Sequence, residues 1–483
     1  MLGLSFFHRL VYDWGDKEDI PMLRRYIGDG PFYSRVMRIA TPIILQNAIT
    51  NFVSLLDNLM VGQLSTAQLG GVTIVNNNLL FIFMLALYGG AAGAGIFTTQ
   101  YFGAGDDDGV RYTFRFKMLI SLVLTVAGIG VFLAFGDPLV NLYLKGEGNA
   151  QLAAETLYYG KQYMMIMLTG LIPFAVTNAY AGTLRECGQP IVPMVAGFVA
   201  TGVNLVGNYI LIFGHFGAPA LGVAGAAIAT VASRFVEMGI VAIWAHVHTK
   251  ELPFMKGLYH SLYIPKPLFE AVVRKGMPLL INESGYSLGM AILNQCYSVC
   301  GLAVVPALSI STTVYNLFSV IYRSLGNTVG IITGQMLGAG RPDQEVRDEN
   351  RKMTALGVAS GVFFGGLLIA LSGLIPQMYN TSAEVRQLAM WFIIISSAAM
   401  PLQAYIFPVY FTLRSGGKTM ITLAFDCGAN WLISIPIAFL MSRFANAPIL
   451  LIFALCHGVD LIKSLFGWYL IRKGSWIHNL TTE

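Results

Sequence analysis

Gln100-Tyr101-Phe102-Gly103-Ala104-Gly105-Asp106 closes one long apolar run, and Gln335-Met336-Leu337-Gly338-Ala339-Gly340-Arg341 closes another in the second half of the chain. The stretches upstream of the two copies correspond as well: Arg38, three residues and Pro42 in the first half, Arg274, three residues and Pro278 in the second. Further on, Thr183-Leu184-Arg185 is matched by Thr412-Leu413-Arg414. The chain therefore reads as one plan used twice. A duplication embedded in apolar sequence is the usual mark of a membrane transporter built from two like lobes around a central path.

Composition agrees with that reading. Apolar residues make up 55% of the chain and charged residues 11%, outside the range of ordinary soluble domains. The net charge of +5 follows loop sidedness and does not call for nucleic acid as a partner. Cys187, Cys296, Cys300, Cys427 and Cys456 lie in or beside apolar stretches, with no CxxC pair and no even framework. They read as buried small hydrophobes, not as metal ligands or disulfides. Residues 1–33 mix Phe6, Phe7 and Trp14 with many charges and lack a cleavable apolar core. A cytoplasmic, surface-lying amphipathic segment is expected there.

Runs of about 20 apolar residues suffice to cross a hydrocarbon layer of about 30 Å. They fall near 34–62, 70–99, 112–136, 155–183, 188–214 and 221–249, then near 267–300, 305–337, 350–374, 385–412, 417–443 and 446–471. The expected fold is an all-α polytopic membrane protein of twelve transmembrane helices in two six-helix lobes, related by a pseudo-twofold axis along the membrane normal. The continuous runs exclude a barrel. The N-lobe spans 34–249, a linker 250–266, the C-lobe 267–472 and a C-terminal tail 473–483. With the N-terminus inside, the inner loops hold most of the Lys and Arg, including Arg111, Arg115, Lys117, Arg185, Arg347, Arg351 and Arg414. The outer loops hold only Lys145, Arg386 and Arg443. The positive-inside rule then places both termini in the cytoplasm of a cell with a multi-pass inner-membrane protein.

Gly326, Gly330, Gly334 and Gly338 share one face of the eighth helix, with Gly89, Gly90, Gly93 and Gly95 as counterparts in the second. Small residues let helices approach closely in lipid, and packing is their expected role. The Gly-Ala-Gly turns lack the flanking strand and Lys-Ser/Thr of a nucleotide loop. Buried ionisable groups say more, because a charge in lipid is costly. Asp57 lies in the first helix, Glu283 in the seventh and Asp426 in the eleventh. Asp57 and Glu283 have no evident local countercharge. Arg234 with Glu237 reads as a structural ion pair, and His457, Asp460 and Lys463 read as satisfying one another or facing the cytoplasm. Asn204 and Asn208 are one turn apart in the fifth helix and Thr230 lies in the sixth. With Asp57 they offer a carboxylate, amide oxygens and a hydroxyl, the hard ligands a small cation prefers. Pro42 in the first helix permits a bend below Asp57 and Pro278 is its repeat; a gating kink and ordinary packing tolerance are the two readings. Methionines such as Met164, Met290 and Met400, interleaved with Tyr163, Tyr286 and Tyr315, suit a cavity for varied apolar or cationic guests.

These residues resemble the multidrug and toxic compound extrusion transporters over residues 34–472. The resemblance is carried by Pro42 with Asp57-Asn58-Leu59-Met60-Val61-Gly62, by Gln100 through Gly105, by Leu184-Arg185-Glu186-Cys187-Gly188, and by Asn208 through Gly214. Gly222 through Thr230, Pro278 with Asn282-Glu283-Ser284, and Leu413-Arg414-Ser415-Gly416-Gly417 extend it. It implies a V-shaped antiporter that exports drugs or metabolites in exchange for H⁺ or Na⁺. It also implies a first-lobe cation site at Asp57, Asn204 and Thr230, with Asn208 standing where one branch has a second acid. Another branch uses acids in helices 7 and 10; here Glu283 comes about one turn earlier and helix 10 has no interior acid, so Glu283 and Asp426 are the second-lobe candidates.

The expected function is cation-coupled export of drugs, organic cations or metabolites by alternating access. The expected protein is a monomer without cofactor, with membrane lipid and a small molecule as partners. A lipid-linked precursor flippase of the same lobed plan would need several cations facing its cavity, where the sequence offers chiefly Arg323, Arg234 and Lys161. An intramembrane enzyme would need a nucleophile with a base or a metal cluster, and neither pattern is present. A non-transporting receptor would leave the duplication unexplained.

Overall fold

The computed structural model describes residues 25–144, 150–445 and 447–482. The amphipathic segment expected before residue 25, and Lys145 among the outer-loop charges, lie outside these. Twelve helical stretches follow one another: α1 (Gly30–Val61), α2 (Thr66–Ala104), α3 (Asp107–Leu144), α4 (Ala150–Thr169 and Leu171–Glu186, bent by 46°), α5 (Ile191–Phe213) and α6 (Val223–Val247). Then come α7 (Lys266–Ser298), α8 (Val304–Gly338), α9 (Asp343–Leu371), α10 (Ala383–Ser415), α11 (Thr419–Arg443) and α12 (Ile449–Lys473). By length and apolarity ten are membrane spans, and the bent α4 makes an eleventh among the described residues. The twelfth, α7, is 33 residues long but carries Lys266, Glu270, Arg274, Lys275 and Glu283. Lys266, Glu270 and Arg274 at its start are exposed, whereas Asn282 is buried and bonds to α10 and α11.

The repeated motifs are helix ends. In the first copy the N–H of Asp106 reaches the Tyr101 carbonyl at 2.9 Å and that of Gly105 the Phe102 carbonyl at 3.1 Å. In the second copy Arg341 reaches Met336 at 3.2 Å and Gly340 reaches Leu337 at 3.1 Å. Gly105 (φ 72°) and Gly340 (φ 63°) hold the left-handed position that this closure requires. Leu184–Gln189 and Leu413–Lys418 close the same way.

These ends are also where the lobes cross. A Cβ on Gly103 would lie 2.0 Å from the Gln335 carbonyl oxygen, and one on Gly338 would lie 1.8 Å from that of Gln100. Each copy thus packs its glycine against the other's glutamine. The glutamine side chains cross over as well: Gln100 Nε2 donates to Ser415 O at 2.8 Å, and Gln335 Nε2 donates to Glu186 O at 2.8 Å. Each therefore satisfies a carbonyl at the end of the other lobe's fourth helix, α10 or α4.

The first helices follow the same exchange. Phe32, Val36, Ile39 and Ile43 of α1 enter a core with α8, α9 and α10, while Val272 and Leu279 of α7 pack on α2, where Gly93 meets Gly276 backbone to backbone. Asn47 donates to Ser324 at 3.1 Å, and Arg35 pairs with Glu349 across the same seam. The glycine face works as packing surface: Gly326 and Gly330 lie against Phe407 and Phe411, Gly334 and Gly338 against Thr99 and Gln100.

Two connecting segments are folded onto this end. The linker is strapped to α3, since Arg111 donates to Phe254 O at 3.0 Å and Arg115 to Leu258 O, Tyr263 O and Gly257 O at 2.9, 3.0 and 3.2 Å. Arg115 and Lys117, read as loop charges, stand in the first turns of α3, and Lys117 is buried against Glu186 and Thr183. The C-terminal segment lies in the crossing, where Gln100 Oε1 accepts from Leu480 N at 2.6 Å and Gln100 Nε2 donates to His478 O at 3.1 Å. Trp476 and Leu480 are buried there.

Candidate functional site

Asp57 stands about one turn before the end of α1 and faces α5 and α6. Asn208 Nδ2 donates to Asp57 Oδ1 at 2.6 Å. The Asn204 amide lies beside both carboxylate oxygens, at 2.8 and 3.2 Å, with Thr230 Oγ1 3.1 Å away on its far side. With its nitrogen turned to Asp57, the Asn204 amide stabilises the carboxylate and its oxygen accepts from Thr230. Asn208 Oδ1 is buried and has no hydrogen-bond partner, which leaves an oxygen free for a hard cation. No Lys or Arg pairs with Asp57 among the described residues. All four residues of the expected first-lobe site are therefore brought together from three helices.

Glu283 and Asp426 are joined through intermediates. Tyr410 OH donates to Glu283 Oε1 at 3.5 Å, Asn282 Nδ2 lies 3.2 Å from Tyr410 OH and 3.4 Å from Asp426 Oδ2, and Lys463 Nζ donates to Asp426 Oδ1 at 2.9 Å. Asp426 sits on a π-helical turn, Ala424–Gly428, whose wider winding brings Cys427 N to Asn282 Oδ1 at 3.2 Å. The expected grouping of His457, Asp460 and Lys463 is thus divided. Asp460 accepts from Gln403 at 2.6 Å with His457 at 3.8 Å, and Lys463 turns to Asp426 instead. Nor do Arg234 and Glu237 form an ion pair: Arg234 donates to Gly170 O at 3.3 Å and lies over Phe174. Helices α1 and α7 run unbroken through Pro42 and Pro278.

Sequence reading missed Tyr410 and Gln403, each an ordinary polar residue in α10 with nothing in its surroundings to mark it. The Asp426–Lys463 pair was also missed, because its members are 37 residues apart. Gln100 and Gln335 were quoted in the repeat, and their role at the crossing could have been asked from that alone. Of the methionines and aromatics, Met164, Met167 and Met400 are core, while Tyr286, Met290 and Tyr315 line a cleft in the C-lobe.

Two similar lobes of membrane-spanning helices, crossed at one end and each holding half-buried acids with amide and hydroxyl neighbours, define a membrane transporter. The MatE family model matches residues 42–210 and 278–440, one segment in each lobe, and the chain belongs to that family. A protein of Thermotoga maritima named "Probable multidrug resistance protein NorM" is 21% identical over 92% of this chain and 91% of its own length. A protein of the same name from Oceanobacillus iheyensis is 24% identical over 84% and 89%. Among solved structures, an outward-facing multidrug resistance MATE transporter of the MOP superfamily superposes with a TM-score of 0.81 at 17% identity, covering 95% of this chain and 99% of that one. A MOP superfamily transporter from Pyrococcus furiosus gives 0.79 at 17% identity with the same coverage.

Proposed function

We propose that the protein is a cation-coupled antiporter that exports drugs, organic cations or amphipathic metabolites across the inner membrane, with both termini cytoplasmic. The observation that carries this reading is the Asp57 cluster: an acid in a membrane helix, without a basic partner among the described residues, surrounded by amides and a hydroxyl from two other helices. H⁺ or Na⁺ entering there neutralises Asp57 and removes the charge that the Asn204 and Asn208 amides stabilise. The contacts between α1, α5 and α6 then change with the ion. Because α1 also reaches across to α8 at its opposite end, a change at Asp57 biases how the lobes meet. Pro42, lying between the two ends, is the natural place for α1 to give.

Glu283 and Asp426 are a second candidate pair in the C-lobe, with Glu283 the more available because Lys463 already neutralises Asp426. The flippase reading is less favoured, since Lys161 is paired with Asp137 and Arg234 is occupied by a carbonyl and a ring.

In proteoliposomes, Asp57→Asn is expected to reduce efflux driven by an imposed proton or sodium gradient at least tenfold while leaving folding intact. Efflux measured under each gradient separately would identify the ion. Undiminished coupled efflux from the variant would refute the assignment.

A further inference from the structure

The C-lobe contains a cavity of about 200 Å³, walled by α7, α8, α10, α11 and α12. Its carboxylates are already engaged. Asp460, with a side chain only 9% exposed, is held by Gln403 and His457, and Asp426 behind the wall is held by Lys463. Arg323 is different. It is exposed to the cleft, lies 5.5 Å over the Phe407 ring and neighbours the Tyr315–Tyr322 hydroxyl pair, 2.6 Å apart. No carboxylate lies within ion-pair distance of it among the described residues.

A guanidinium set among aromatic walls and lacking a resident anion is poorly compensated, and its planar fork suits an oxyanion arriving from outside. Tyr286, 37% exposed, offers a ring face in the same cleft, while Phe407 backs the guanidinium. Aromatic walls alone can hold an organic cation, but here the unpaired Arg323 charge in the same cleft repels one, and no accessible, unengaged acid among the described residues of the wall offsets it. Asp460 is covered and bonded.

We infer that this cleft is a substrate subsite and that it takes a small aromatic solute bearing a carboxylate, bound with its anionic group on Arg323 and its ring against Tyr286. The inference rests on the transporter reading above and assigns aromatic carboxylates, anionic or zwitterionic, to this one cleft.

Equilibrium binding to the full-length protein in nanodiscs tests it without requiring transport. The probes are 2-naphthoate, its neutral amide, and (2-naphthyl)trimethylammonium. The wild-type protein is expected to bind naphthoate at least tenfold more tightly than either analogue. Arg323→Gln removes that preference and Arg323→Lys keeps part of it, with thermal midpoints reporting that both variants fold. Asp57→Asn retains the preference even where it abolishes coupled efflux, so failure of the ion-coupling reading and failure of this one are told apart. Equal or tighter binding of the amide or the ammonium, or unchanged naphthoate affinity in a folded Arg323→Gln, would overturn it.

Discussion

Asn208 Nδ2 donates to Asp57 Oδ1 while its own Oδ1 has no partner, so the first-lobe site holds one negative charge and a surplus of neutral oxygens. A proton satisfies that charge completely. A sodium ion gains from a second carboxylate, because Coulomb attraction between unit charges about 4 Å apart is worth on the order of 4 kcal/mol where the effective dielectric is about 20. Asn208→Asp is therefore expected to tighten Na⁺ binding about tenfold or more and make efflux respond more strongly to a sodium gradient. Isothermal titration with NaCl, against choline chloride as control, would read this directly, and unchanged affinity would count against Asn208 lining the ion site. Asp57 was legible from sequence because an acid inside an apolar run is expensive wherever the chain goes. Tyr410 was not, since its importance comes from standing between Asn282 and Glu283 in space.

At the scale of helices, the repeated glycines show how pattern and contact differ. The motif located both turns and both helix ends, as their hydrogen bonds confirm. It did not reveal that each glycine meets the other lobe, because an absent side chain carries no signal of what occupies its space. Gly103→Ala places a methyl 2.0 Å from the Gln335 carbonyl oxygen, and backbone there has little freedom to retreat. The expected cost is about 1–3 kcal/mol of the crossed arrangement, seen as a lower melting temperature and greater labelling of cysteines introduced at the seam. Gly130→Ala, with nothing within 4 Å of the added carbon, is the control and is expected neither to lower the melting temperature nor to increase labelling. The division into spans was readable almost throughout from apolar length; α7 departs because it carries exposed charges at its start and polar residues such as Asn282 that bond to neighbouring helices.

For the molecule as a whole, the seam between lobes gathers α1, α2, α7 and α8 at the Gly-Ala-Gly end, with the linker and C-terminal segment folded beside it. Transport by alternating access requires that seam to part. Asn47 and Ser324, joined by a 3.1 Å hydrogen bond, are suited to test this: Asn47→Cys with Ser324→Cys, oxidised to a disulfide, is expected to stop efflux, and reduction to restore it. Continued efflux while the link is intact would mean that the lobes need not separate there. Sequence could announce two lobes but not which ends touch, because both arrangements of a rocking protein use the same residues.

The exchanged glutamines carry one more consequence. Gln100 supplies a donor for Ser415 O, and Gln335 supplies one for Glu186 O, so parting the lobes leaves those two peptide oxygens without their donors. Solvent has to flow in to take over those bonds, each otherwise costing roughly 1–3 kcal/mol. The turnover rate is thus tied to hydration: an impermeant osmolyte on the crossing side, by drawing water from the gap, is expected to slow export in proportion to osmotic pressure, whereas the same solute on the opposite face is not.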